Sequence, residues 1–107
     1  MAYDEDLADR VRELSAGAAE KKMFGGLAFL VGGHMAVAVS GQGGLMVRVE
    51  PSQLEALLAE TGVEPFQMRG REMTGWLRVS PDALDSDDAL GRWVDRGVSY
   101  ARSLLPK

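Results

Sequence analysis

Lys21-Lys22-Met23-Phe24-Gly25-Gly26 runs into Leu27-Ala28-Phe29-Leu30-Val31, then Gly32-Gly33, then His34-Met35-Ala36-Val37-Ala38-Val39. After Gly41-Gln42-Gly43-Gly44 comes Leu45-Met46-Val47-Arg48-Val49. This stretch holds the longest β-type apolar runs of the chain, and glycines interrupt them where turns are needed. Gly32-Gly33 takes positive φ at low cost, as a two-residue hairpin turn requires. Met35 to Val39 alternates bulky residues with alanines, the period of a strand with one large and one small face. Two tight turns between three short strands predict an antiparallel meander.

Outward toward the N-terminus, Tyr3, Leu7, Val11 and Leu14 recur at spacings of four, four and three. That predicts a helix from Asp4 to about Ala16 with those residues on one face. Asp4, Glu5 and Asp6 fall in its first turn, where the helix dipole favours negative charge. Toward the C-terminus, Pro51 opens a short helix carrying Leu54, Leu57 and Leu58, and Gly62 is its left-handed cap. Phe66 to Arg69 and Gly75 to Val79 read as two more strands, with a loop around Gly70-Arg71. Ser86, followed by Asp87 and Asp88, starts a last helix. Leu90, Trp93, Val94, Gly97, Val98, Ala101, Leu104 and Leu105 form its apolar stripe, and Pro106 stops it. Arg92, Arg96 and Arg102 lie off the stripe. The predicted class is α+β, a two-layer domain over residues 1–107 in the order α-β(3)-α-β(2)-α, with an antiparallel sheet and the helices on one face.

Composition bounds the function. The 107 residues carry 16 acidic and 12 basic side chains, a net charge of -4. That balance disfavours a protein held to nucleic acid by bulk charge. There is no cysteine, so disulfides, thiolate metal sites and thiol catalysis are excluded. The acidic start lacks the features of a signal peptide, and no apolar run approaches the roughly 18 residues that span a bilayer. The expected location is the cytoplasm, with no membrane association.

Met23-Phe24-Gly25-Gly26 after a short helix, the hairpin through Gly32-Gly33, the Leu45–Val49 strand entering a helix at Pro51, and the final Leu90-Trp93-Val94 helix together resemble the N-terminal domain of the TfoX/Sxy family. That bacterial family is named for regulators of natural competence, and the resemblance covers nearly the whole chain. It implies an α-β(3)-α-β(2)-α two-layer fold and a role in transcription regulation. Full-length competence regulators of the family carry a second, helical C-terminal domain, for which a chain ending at Lys107 has no room. The turns at 41–44 and 69–73 resemble those of actinobacterial stand-alone members. The family brings no catalytic residues to carry over.

Candidate chemistry is sparse. His34 is the only histidine, and it reads as an exposed turn residue. An enzyme would need a concave pocket with convergent polar groups near His34 or Tyr100. Gly41-Gln42-Gly43-Gly44 lacks the Lys-Ser/Thr of a phosphate loop, and Gly25-Gly26 leads into a strand rather than a helix. Asp85, Asp87 and Asp88 lack a calcium-loop pattern. No metal and no cofactor are expected.

Two surfaces remain. Lys21, Lys22, Arg48, Arg69, Arg71 and Arg78 are half of the basic residues and lie on or beside strands. With Trp76 they would form a platform for nucleic acid or a protein partner. Met35, Val37, Val39 and Met46 are the candidate dimer face, because a sheet covered by helices on one side leaves its other side to water or a second copy. The leading expectation is a non-enzymatic binding or regulatory homodimer acting through protein–protein contacts, with a protein partner in transcription regulation. The alternative is a nucleic-acid-associated module, and a small-molecule enzyme comes last.

Overall fold

A computed structural model describes residues 3–15, 17–23, 25–41, 43–68 and 70–104, and at positions 23, 68 and 71–74 it describes the backbone. The chain is an α+β fold: a six-stranded antiparallel sheet with three helices. Helix α1 is Glu5–Leu14, and strands β1 Ala19–Met23, β2 Gly26–Val31, β3 His34–Val39 and β4 Leu45–Arg48 follow. A 3-10 turn at Pro51–Gln53 leads into α2, Leu54–Leu58. Then come β5 Val63–Met68, β6 Arg71–Val79, a second 3-10 turn at Pro81–Leu84, and α3 Asp87–Ser103. The strand order is β1-β2-β3-β4-β6-β5.

Both long helices begin as the sequence predicts. The Asp4 carboxylate accepts from the Leu7 N–H, and the Ser86 hydroxyl accepts from the Ala89 N–H. Gly32 and Gly33 both have positive φ, and Val31 pairs with His34 across them. The helix-facing core gathers Leu27, Phe29, Val37, Val39, Leu45, Val47, Leu77 and Val79 from the sheet. Against these pack Leu7 and Val11 of α1, Leu57 of α2, and Leu90, Trp93, Val94 and Ala101 of α3. Leu104 caps α3 in extended conformation, and Leu105 and Pro106 lie outside the described residues.

Three details differ from the sequence reading. The first half of the sheet has one more strand. Ala19–Met23 pairs along its length with β2, from Ala19 opposite Leu30 to Met23 opposite Gly26. Its Ala-Glu-Lys-Lys-Met sequence has no apolar alternation, because an edge strand in water needs none and its charges discourage further pairing. Met23 at the end of β1 therefore pairs with Gly26 at the start of β2, which puts the two ends of the signature on paired strands. Gly25 has φ +75°, and a Cβ on Gly26 would collide with the Val39 carbonyl oxygen.

Leu14 is the second difference: it is 47% exposed, although the spacing put it on the buried face. The buried face of α1 is Leu7, Ala8, Val11 and Ser15, which is rotated away from Leu14. The third is a bulge in β3. Phe29 pairs with Val37 but Leu30 pairs with Met35, so Ala36 is the extra residue. The bulge moves Met35 to the sheet face opposite Val37 and Val39.

Candidate functional site

The face of the sheet away from the helices carries one register row across all six strands. Lys21 pairs with Ala28, Ala28 with Ala38, Ala38 with Met46, Met46 with Arg78, and Arg78 with Glu64. Of the expected basic platform, this row holds Lys21 and Arg78. Lys21 stands at one end of the row and Arg78 near the other, with Ala28, Ala38 and Met46 between them. Lys22 pairs with Leu27, a helix-facing residue, so it points to the opposite face from Lys21. Arg78 donates to Glu64 Oε1 at 2.8 Å and to the Gly43 carbonyl at 2.9 Å. Arg48 and Trp76 do meet: the guanidinium carbon lies 5.8 Å from the Trp76 ring centre and 5.6 Å from that of Tyr100. Arg69 lies outside the described residues, as does the side chain of Arg71; Phe24 of the signature lies outside as well.

The candidate dimer face is corrected. Val37 and Val39 are fully buried beneath the helices and cannot touch another molecule. Met35 and Met46 are on the other face, but Met46 is only 9% exposed. That face closes largely on itself. Ala28, Ala38 and Met46 form a small second cluster, and Leu30, Met35, Phe66 and Trp76 are half-buried against it. Small alanines at the centre of this cluster leave room for the longer neighbours packed against them.

Exposure lies elsewhere. Between the end of α1, the lead into β1, the end of β2 and one flank of α3 runs a groove of about 590 Å³. Leu14, Ala18, Val31 and Val98 give it apolar walls, and Asp95 and Arg102 give it opposite charges. Leu14 is the one large apolar side chain exposed among the described residues. In α3, Gly91 also borders the groove, and no atom lies within 4 Å of where its Cβ would be. Sequence periodicity missed this groove because it placed Leu14 on the buried face of its helix. The signal available was Gly91, a glycine in a helix interior with no turn to make.

On the other flank of α3, Arg96 lies 4.6 Å from the Trp93 ring centre and 3.5 Å from a Glu60 oxygen. At the far end of α1, Arg12 holds Glu20 of β1 through two bonds, at 2.7 and 2.8 Å. The hydrogen bonds from Arg12 hold the Glu20 carboxyl below its usual range, against a smaller opposing effect of desolvation. His34 begins β3 and is half-buried rather than exposed. Among the described residues no group of three or more His, Asp or Glu could hold a metal ion. No helix among them is long and apolar enough to cross a membrane.

Compared with known families, residues 10–101 match the one described as TfoX N-terminal domain. No curated protein and no solved structure matches the chain.

Proposed function

The chain belongs to the TfoX N-terminal domain family, and from that membership we propose that it is a non-enzymatic regulatory domain of the competence-regulator kind, acting through protein–protein contacts. The observation that carries this reading is the groove beside α3. It joins the exposed Leu14 to apolar walls and to two charges of opposite sign. An apolar patch with a charged rim is the anatomy of a protein contact surface. The basic-face alternative draws on fewer cations, because Arg78 is engaged by Glu64 and Gly43 and Lys22 points the other way.

The test compares transcript levels in the native cell with the chain present, deleted, and replaced by Leu14→Glu. The reading expects a defined set of transcripts, including those for DNA uptake, to change on deletion and to change in the same direction with Leu14→Glu at normal protein level. Unchanged transcripts on deletion overturn it. Titration of labelled single- and double-stranded oligonucleotides at low salt should show no binding, whereas binding that weakens steeply with salt would favour the nucleic-acid alternative.

A further inference from the structure

Four arginines among the described residues are half-buried: Arg10, Arg48, Arg78 and Arg96. Three of them hold a carboxylate. Arg10 reaches Asp87 at 3.2 Å, Arg78 reaches Glu64 at 2.8 Å, and Arg96 reaches Glu60 at 3.5 Å. The Arg48 side chain takes part in none of the ion pairs and hydrogen bonds found among the described residues. Glu50, the acidic residue nearest to it in sequence, lines a cleft beside α3 that Arg48 does not border.

Its place is nonetheless fixed. The guanidinium carbon lies over the rings of Trp76 in β6 and Tyr100 in α3, at 5.8 and 5.6 Å from their centres. Ring faces attract the charge but leave the N–H donors of the fork without an acceptor. Trp76 stands with Leu30, Met35 and Phe66 around the small open-face cluster, so the guanidinium sits at the margin of an apolar surface. An ion pair there is screened less than one in open water. The rings have already restricted the side chain, so less freedom is lost when an acceptor arrives. Arg, Trp and Tyr are also the residue types that concentrate binding energy in protein contacts.

We propose that Arg48, braced by Trp76 and Tyr100, is the contact point for a carboxylate carried by a protein partner. The missing member of the pair defines the chemistry. Each of the other half-buried arginines takes a carboxylate, and a planar guanidinium edge matches a planar carboxylate through two parallel bonds. Nucleic acid fits less well, because this one guanidinium would have to hold a polyanion to a chain of net charge -4. The site is separate from the groove: Tyr100 is two residues from both Val98 and Arg102, about 200° around α3. It adds a second contact surface to the regulatory reading, and it stands or falls independently of the groove.

The chain has two tryptophans, so in an NMR titration the indole N–H signal of Trp76 reports the site and that of Trp93 reports the buried core. Three probes are added separately to the full chain: glutamate blocked at both ends, N-acetylalanine, and dimethyl phosphate. They present a side-chain carboxylate, a terminal carboxylate and a phosphodiester. Each is taken to about 200 mM at constant ionic strength. At least one carboxylate should move the Trp76 signal saturably and leave Trp93 in place, and the tighter of the two identifies the source. Arg48→Lys keeps the charge but loses the planar fork, and should weaken binding at least about fivefold. Tyr100→Leu removes one ring and should weaken it at least about twofold. Circular dichroism and the Trp93 signal report that each variant is folded. A Trp76 signal that fails to saturate with either carboxylate overturns the proposal. So does undiminished binding by either folded variant, or dimethyl phosphate binding as tightly as the better carboxylate.

Discussion

Gly97 of α3 lies directly on the carbonyl of Ala36 in β3, with no room between them for a side chain. A Cβ there would collide with the Ala36 oxygen and come within 2.7 Å of Val37 Cγ1. The helix can approach the sheet this closely because the residue at the crossing is glycine, and Ala36 is the bulge residue that turns toward it. Gly97→Ala should therefore destabilise the fold by about 1–3 kcal/mol, despite the gain in helix propensity. Gly91→Ala, earlier in the same helix, meets open space and should stabilise by about 0.5–1 kcal/mol. Urea unfolding of both variants checks the pair; effects of the same sign would show that the close approach is not what Gly97 serves.

Trp93 is 3% exposed and central in the buried stripe of α3. Its truncation leaves a large void beneath the helix and removes the ring on which Arg96 rests. Trp93→Ala should cost about 3–5 kcal/mol. A loss below about 1 kcal/mol in chemical denaturation would place this helix face in water.

The sequence made the helix starts, the two glycine hairpins and the α3 stripe readable, because each rests on local chemistry or on period. Asp4 and Ser86 are acceptors placed before apolar runs, and Gly32-Gly33 leaves few other turns available. Strand β1 was hidden because its partner, not its own pattern, makes it a strand. Val37 and Val39 were assigned to the wrong surface for a related reason. Strict alternation grouped them with Met35, whereas the bulge at Ala36 splits that group, and a bulge depends on how β2 and β3 register.

The groove was hidden for a different reason. Which side of α1 is buried depends on where α3 crosses it, and that crossing favours Ala8 and Ser15 over Leu14. The basic residues could be counted in the sequence but not distributed. Lys21 and Lys22 are neighbours that face opposite ways, and Arg78 turns to Glu64 only because β5 pairs with β6.

Arg12 and Glu20 tie α1 to the edge strand, and the bond sets a pH dependence. The folded Glu20 carboxyl titrates below its ordinary value because Arg12 hydrogen-bonds its ionised form. Its contribution to stability is therefore complete above the unfolded glutamate value of about 4.3, and it is lost as pH falls through the lower folded value. Both groups lie in water, so the effect on global stability is small. The carboxyl itself reports it: an NMR titration should place Glu20 below the ordinary glutamate range, and Arg12→Gln should return it to that range. A Glu20 midpoint unchanged by that substitution would show that the bond does not form in solution.

The last prediction concerns the sheet face opposite the helices. Ala38 is 6% exposed although no helix covers it, because Leu30, Met35, Phe66 and Trp76 surround the cluster it belongs to. A carboxylate at that position would be removed from water with no partner provided. Ala38→Asp should destabilise the monomer by about 2 kcal/mol or more. A hydrated sheet face would accept the same change within about 0.5 kcal/mol. Chemical denaturation at a few micromolar separates the two cases. A neutral result there would mean that the side chains around Ala38 stand away from the sheet, and the face would again be a surface in search of a partner.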